Sequence, residues 1–126
     1  MLLLGPPGCS KSDLVLRLID RGFSLVADDR VEVADGIARP APELAGLLEV
    51  RGLGIVALPH AGSARLALAV DLAGGTDRLP QPATDPRLGL PLIAVDPAAP
   101  TAAARIALAL DCALGRVRMA AGAFAA

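Results

Sequence analysis

Aromatic residues are nearly missing from this chain: among 126 residues there are two phenylalanines, no tyrosine and no tryptophan. A core without large rings has to close with Ala, Leu and Val, which make up much of the 54% apolar content, and small aliphatic side chains suit closely packed strands and helices. An excess of either charge is missing too. Twelve basic residues against thirteen acidic ones leave a formal charge of −1, and there is no basic tail. That excludes the long-range positive field that would hold a nucleic acid backbone. The only cysteines, Cys9 and Cys112, stand too far apart in the sequence for a metal clip, and nothing suggests a secreted disulfide framework. Reduced thiols and a cytoplasmic location are the expectation. Long apolar runs are absent as well. The opening MLLLG is too short for a signal-peptide core, and the stretch from Thr101 to Leu114 is broken by Arg105 and Asp111, so no membrane span is expected. Histidine occurs once, as His60 after Pro59, and reads as a loop or surface residue. Without internal repeats, this length fits one domain, residues 1–126.

What is present reads as alternating strands and helices. Leu2, Leu3 and Leu4 form an apolar run ending at a glycine, and Leu14, Leu16, Leu18 and Ile19 follow at helical spacing up to Gly22. FSLVADD, residues 23–29, reads as a second strand ending in two carboxylates. RVEVADGIAR reads as a hairpin turning at Asp35 and Gly36. LLEVRGLGIVALP reads as one strand interrupted by Gly52 and Gly54, and ARLALAVDL and LPLIAVD as two more strands. The prolines between Arg78 and Pro91 predict an extended surface connection, and Ala, Ile and Leu between Pro100 and Gly115 predict a closing helix with Cys112 in its core side. The sum is a strand-rich α/β domain.

The first of these connections carries chemistry. GPPGCSKS follows the spacing G-x-x-x-x-G-K-[ST] at Gly5, Lys11 and Ser12, with an extra glycine at Gly8, but Ser10 stands where the second glycine belongs. In such a loop backbone N–H groups and the helix start converge on phosphates; Lys11 would reach the β and γ phosphates and the Ser12 hydroxyl would meet Mg²⁺. Glycine before the lysine lets the backbone approach without a Cβ and adopt dihedrals that cost other residues energy. Strain of that kind costs about 1–3 kcal/mol, which weakens binding roughly ten- to a hundredfold if it falls on the bound state. The blander interpretation is a strand-to-helix turn with a capping serine, in which Cys9 is a small filler.

Phosphoryl transfer needs a carboxylate at the metal and a group that takes the proton of the attacking hydroxyl. Asp28 and Asp29 end the expected second strand, where a parallel sheet would bring them out beside the phosphates, and as neighbours on a strand they would face opposite ways and divide the work. Taken alone, the pair also fits a solvated turn. Glu49 and Arg51 alternate with Leu48, Val50 and Leu53, so an acid and a guanidinium share one face; they suit a metal and an anion, or equally a surface ion pair of little energetic weight.

In order, GPPGCSKSD, LVADDRVEV and LLEVRGLGIV resemble the catalytic domain of HPr kinase/phosphorylase, the bifunctional enzyme that phosphorylates a serine of the phosphocarrier HPr, in its short proteobacterial form. The motifs cover roughly residues 1–72, and EVRGLG is the most specific. The resemblance implies an α/β fold with a P-loop and a mixed, strand-rich sheet flanked by helices, of the HPr kinase and phosphoenolpyruvate carboxykinase kind. It implies ATP and Mg²⁺ as cofactors, HPr or its nitrogen-branch paralogue as substrate within the phosphotransferase system, and a ring-like hexamer. Gly5, Pro6, Pro7, Gly8, Cys9, Ser10, Lys11 and Ser12 match the phosphate cradle, while Ser12, Asp29 and Glu49 match the metal site. Asp28 matches the general base toward the substrate serine, and the general acid in reverse; Arg51, with Lys11, matches the stabiliser of the transferring phosphoryl group. Family members carry one or two strands and a histidine before the loop. This chain opens four residues before Gly5 and His60 does not match that histidine, so the domain is expected to be short at its N-terminal edge. Ser10 and that edge support two other expectations: a catalytically weakened nucleotide-binding regulatory module, or a protein that recognises the phosphocarrier without ATP.

Overall fold

The computed structural model describes residues 1–6, 9–28, 30–75 and 77–125. In chain order these form β1 (Leu2–Leu4), α1 (Lys11–Asp20), β2 (Val31–Ala34), β3 (Ile37–Pro40), a single 3-10 turn (Pro42–Leu44), β4 (Leu47–Val50), β5 (Gly54–Ala57), β6 (Ala64–Arg65), β7 (Ala69–Asp71), β8 (Leu92–Ala94) and α2 (Ala102–Ala113). The fold is thus mixed α/β and rich in short strands. It divides into two compact units, one of Met1–Lys11 with Ala67–Ala126, the other of Ser12–Leu66.

The first unit is built on a three-stranded parallel sheet in the order β1-β7-β8. Leu2, Leu3 and Leu4 pair with Ala69, Val70 and Asp71, which pair in turn with Leu92, Ile93 and Ala94. Parallel strands carry near-continuous apolar runs because both faces are covered, and Leu68, Ala69, Val70 and Leu72 are buried accordingly. In α2, Ala102, Ala103, Ile106 and Ala109 form the buried stripe, so the aliphatic, small-residue core expected from the composition is what closes this unit. The proline-rich connection is largely exposed, as expected, but ends in a tight turn: the buried Asp85 carboxylate accepts the N–H groups of Arg87 and Leu88, each at 2.9 Å.

The second unit holds α1 and two antiparallel sheets, β2-β3-β6 and β4-β5. Leu14 and Leu18, one turn apart, are the buried face of α1. The helix stops where the sequence predicts: Gly22 takes φ +102°, its N–H reaches the Ile19 carbonyl and that of Phe23 the Leu18 carbonyl, the pairing of a Schellman C-cap. Asp35 and Gly36 turn the β2–β3 hairpin at φ +52° and +75°.

Three strand expectations are overturned here. The segment from Phe23 pairs only through an isolated parallel bridge between Leu25 and His60, with the Ala61 N–H donated to the Leu25 carbonyl at 2.7 Å. Pro59, next along the partner segment, has no N–H with which to extend the ladder. LLEVRGLGIVALP is a hairpin instead of one strand: β4 and β5 pair with Leu48 opposite Val56, and the turn closes with the Leu53 N–H on the Val50 carbonyl at 2.9 Å. ARLALAVDL likewise splits into β6, which pairs antiparallel to β3, and β7 in the parallel sheet.

Candidate functional site

Within the loop that leaves β1, a side chain at Gly5 would be crowded. A Cβ there would come within 2.7 Å of the Cys9 Sγ and 3.1 Å of the Leu72 Cβ, so the small filler expected at Cys9 occupies the space a larger residue at position 5 would need. The Cys9 N–H reaches the Pro6 carbonyl at 3.3 Å, folding the loop back on itself. Pro6 has no N–H to offer a ligand, so donors must come from other loop positions. Pro7 and Gly8 lie outside the described residues. Ser10, directly before α1, has φ +66°. The position in which the sequence lacks a glycine is therefore one whose backbone favours glycine, and the serine carries the strain. Lys11 opens the helix, half-buried.

In the second unit the structure joins two of the expected residues. The Ser12 hydroxyl, on the first turn of α1, stands 3.0 Å from both carboxylate oxygens of Asp28. With a single O–H proton the serine donates to one oxygen at a time, and the symmetric distances hold the carboxylate facing it. Asp28 lies in a bend and not at a strand end, so the opposite-face argument for Asp28 and Asp29 loses its basis; Asp29 itself lies outside the described residues. Glu49 is exposed on β4, opposite Ile55. Arg51 belongs to the turn after β4, so the strand alternation that put both charges on one face ends at Val50. Among the described residues, no three His, Cys, Asp or Glu side chains form a group able to hold a metal. The hydroxyl and carboxylate of the Ser12–Asp28 pair are hard oxygen donors, the chemistry Mg²⁺ accepts.

His60 is exposed, as expected, with its Nδ1 3.4 Å from the Leu58 carbonyl. Asp71 was missed by the sequence reading. The parallel ladder sets it beside Leu4, the last residue before the loop, where the sequence pattern predicts the Asp28–Asp29 pair. Its signal in the sequence was the acid near the end of ARLALAVDL.

A mixed α/β fold, with a strand running through a glycine–proline loop into a helix that pairs its serine with an aspartate, defines the class. It is the fold of the HPr(Ser) kinase/phosphatase from Coxiella burnetii, matched at a TM-score of 0.69 with 21% identity over 90% of this chain and 82% of that one. Residues 1–65 match the HPr Serine kinase C-terminal domain, and the chain belongs to that family. It is 38% identical over 98 residues to the HPr kinase/phosphorylase of Caldanaerobacter subterraneus subsp. tengcongensis, covering 71% of this chain and 32% of that protein. Against the Clostridium novyi HPr kinase/phosphorylase it is 48% identical over 63 residues, covering 47% of this chain and 20% of the relative. The chain thus spans about a third or less of the length of such relatives. Among the described residues no helix is long and apolar enough to cross a membrane.

Proposed function

We propose that this chain is the nucleotide-binding catalytic part of a protein-serine kinase that transfers the γ-phosphoryl group of ATP to a serine of HPr or its nitrogen-branch paralogue in the cytoplasm. The observation that carries the reading is the Ser12–Asp28 contact at 3.0 Å, on a helix entered directly from the glycine–proline loop. Family membership and the names of the relatives support it.

In this mechanism the backbone donors of Gly5 to Ser12, apart from the prolines and from Cys9, whose N–H is held by the Pro6 carbonyl, and the Lys11 ammonium bind the polyphosphate. Ser12, with Asp29 and Glu49, would hold Mg²⁺, which when bound supplies charge neutralisation at the phosphates. Asp28, oriented by Ser12, accepts the proton of the substrate hydroxyl as its oxygen bonds to the γ-phosphorus; the bond from that phosphorus to the β–γ bridging oxygen breaks and ADP leaves. Arg51 and Lys11 balance the charge on the transferring group. The test is transfer of label from γ-labelled ATP to purified phosphocarrier, expected with the native chain and absent with Lys11→Ala. No transfer by native protein across Mg²⁺ and substrate concentrations overturns the kinase reading.

The φ of +66° at Ser10 favours a second reading, a nucleotide-binding regulatory module whose loop no longer supports turnover. It predicts nucleotide binding by calorimetry without label transfer.

A further inference from the structure

We infer that Asp71 makes the loop between β1 and α1 select metal-complexed nucleotide over the free polyphosphate anion; the inference rests on the nucleotide-binding reading above. β7 is the central strand of the parallel sheet, and Asp71 ends it, in register with Leu4 on one side and Ala94 on the other. Ligands of parallel α/β sheets bind beyond the carboxyl ends of the strands, the edge from which the loop springs. The join between loop and strand end is tight: the Leu72 N–H meets the Leu4 carbonyl at 2.7 Å, and the Leu72 side chain occupies the space beside Gly5 that a Cβ would need. The half-buried Asp71 side chain is fixed by the Ala73 N–H, which donates to its Oδ1 at 2.9 Å.

A fixed carboxylate one strand from an anion-binding loop opposes a bare polyphosphate. It does not oppose one whose charge a divalent cation has reduced. The neighbouring strand supplies an internal control. Asp96 follows β8 and accepts the Ala98 N–H at 2.9 Å, the same local turn as at Asp71, but β8 is one strand further from β1. With strands about 4.8 Å apart, Asp71 lies about one spacing from β1 and Asp96 about two, roughly 10 Å, beyond a Debye length of about 8 Å in physiological salt.

The experiment is calorimetric titration of the full chain with ADP or a non-hydrolysable ATP analogue, in EDTA and in millimolar Mg²⁺. Asp71→Asn keeps an oxygen for the Ala73 N–H and removes the charge. It is expected to tighten metal-free binding and to lower the ratio of metal-bound to metal-free affinity by about tenfold. Asp96→Asn is expected to leave that ratio within about twofold, and Asp71→Glu to retain the native preference, with the Asn effect fading in 1 M salt. An unchanged ratio in Asp71→Asn, or an equal shift in Asp96→Asn, overturns the inference while native binding stands. A native chain that binds nucleotide in neither buffer removes the nucleotide reading and this inference together.

Discussion

At Ser10 the backbone turns left-handed, φ +66°, in the last residue before α1. An L-residue in that region costs about 1–2 kcal/mol, while glycine loses about 0.5–1 kcal/mol more on folding through its freedom in the unfolded chain. The difference predicts that Ser10→Gly stabilises the protein by about 0.5 kcal/mol, and that Ser10→Val, with a branched Cβ, destabilises it by about 1–2 kcal/mol. Urea unfolding followed by circular dichroism checks both. If the strain falls mainly on the nucleotide-bound loop, Ser10→Gly also tightens nucleotide binding up to about tenfold by calorimetry. A stability loss in Ser10→Gly means the strain is repaid by a contact of the serine side chain. This position was legible from the sequence, because a spacing rule isolates it. The pairing of Ser12 with Asp28 was legible only as shared membership of a site: a contact sixteen positions apart depends on how the chain returns from Gly22. Asp71 escaped because its neighbour across the ladder, Leu4, is distant in sequence.

Among the elements, local chemistry decided which were readable. The β2–β3 hairpin announces itself because Asp35 and Gly36 are the residues that accept positive φ in a two-residue turn. The β4–β5 hairpin looks like one strand because Gly52 and Gly54 resemble interruptions; Gly52, at φ +85°, lies in the turn, and Gly54, at φ +140°, opens β5. The expected strand from Phe23 has the right composition but pairs only at Leu25, and on the Phe23 side Pro59 lacks the N–H of the next rung. In the hairpin, Leu48 is fully buried while Leu53 and Ile55 are 77% and 71% exposed. Leu48→Ala is therefore expected to cost about 2–5 kcal/mol, and Leu53→Ser less than about 0.5 kcal/mol, measured as shifts in the urea midpoint. Equal losses at the two positions would contradict the hairpin, in which Leu48 is on the buried face and Leu53 is in the exposed turn.

For the whole molecule, stability and binding are linked, and the linkage gives a test that does not require turnover. A ligand that binds only the folded chain stabilises it by about 2.7 kcal/mol at one hundred times its dissociation constant. For a chain of this size each kcal/mol moves the thermal midpoint by roughly 3–5 °C, so saturating Mg²⁺–ADP is expected to raise it by about 10 °C. With no tryptophan or tyrosine there is no useful intrinsic fluorescence, and circular dichroism is the suitable probe. Lys11→Ala removes the cation expected at the phosphates and should abolish most of the shift while leaving the unliganded midpoint nearly unchanged, since Lys11 makes no ion pair among those recorded for the described residues. The formal charge of −1 gives no general attraction for anions, so a shift that survives in Lys11→Ala points to binding elsewhere on the chain. A native midpoint that moves by less than about 2 °C at that saturation overturns nucleotide binding, and the kinase reading with it.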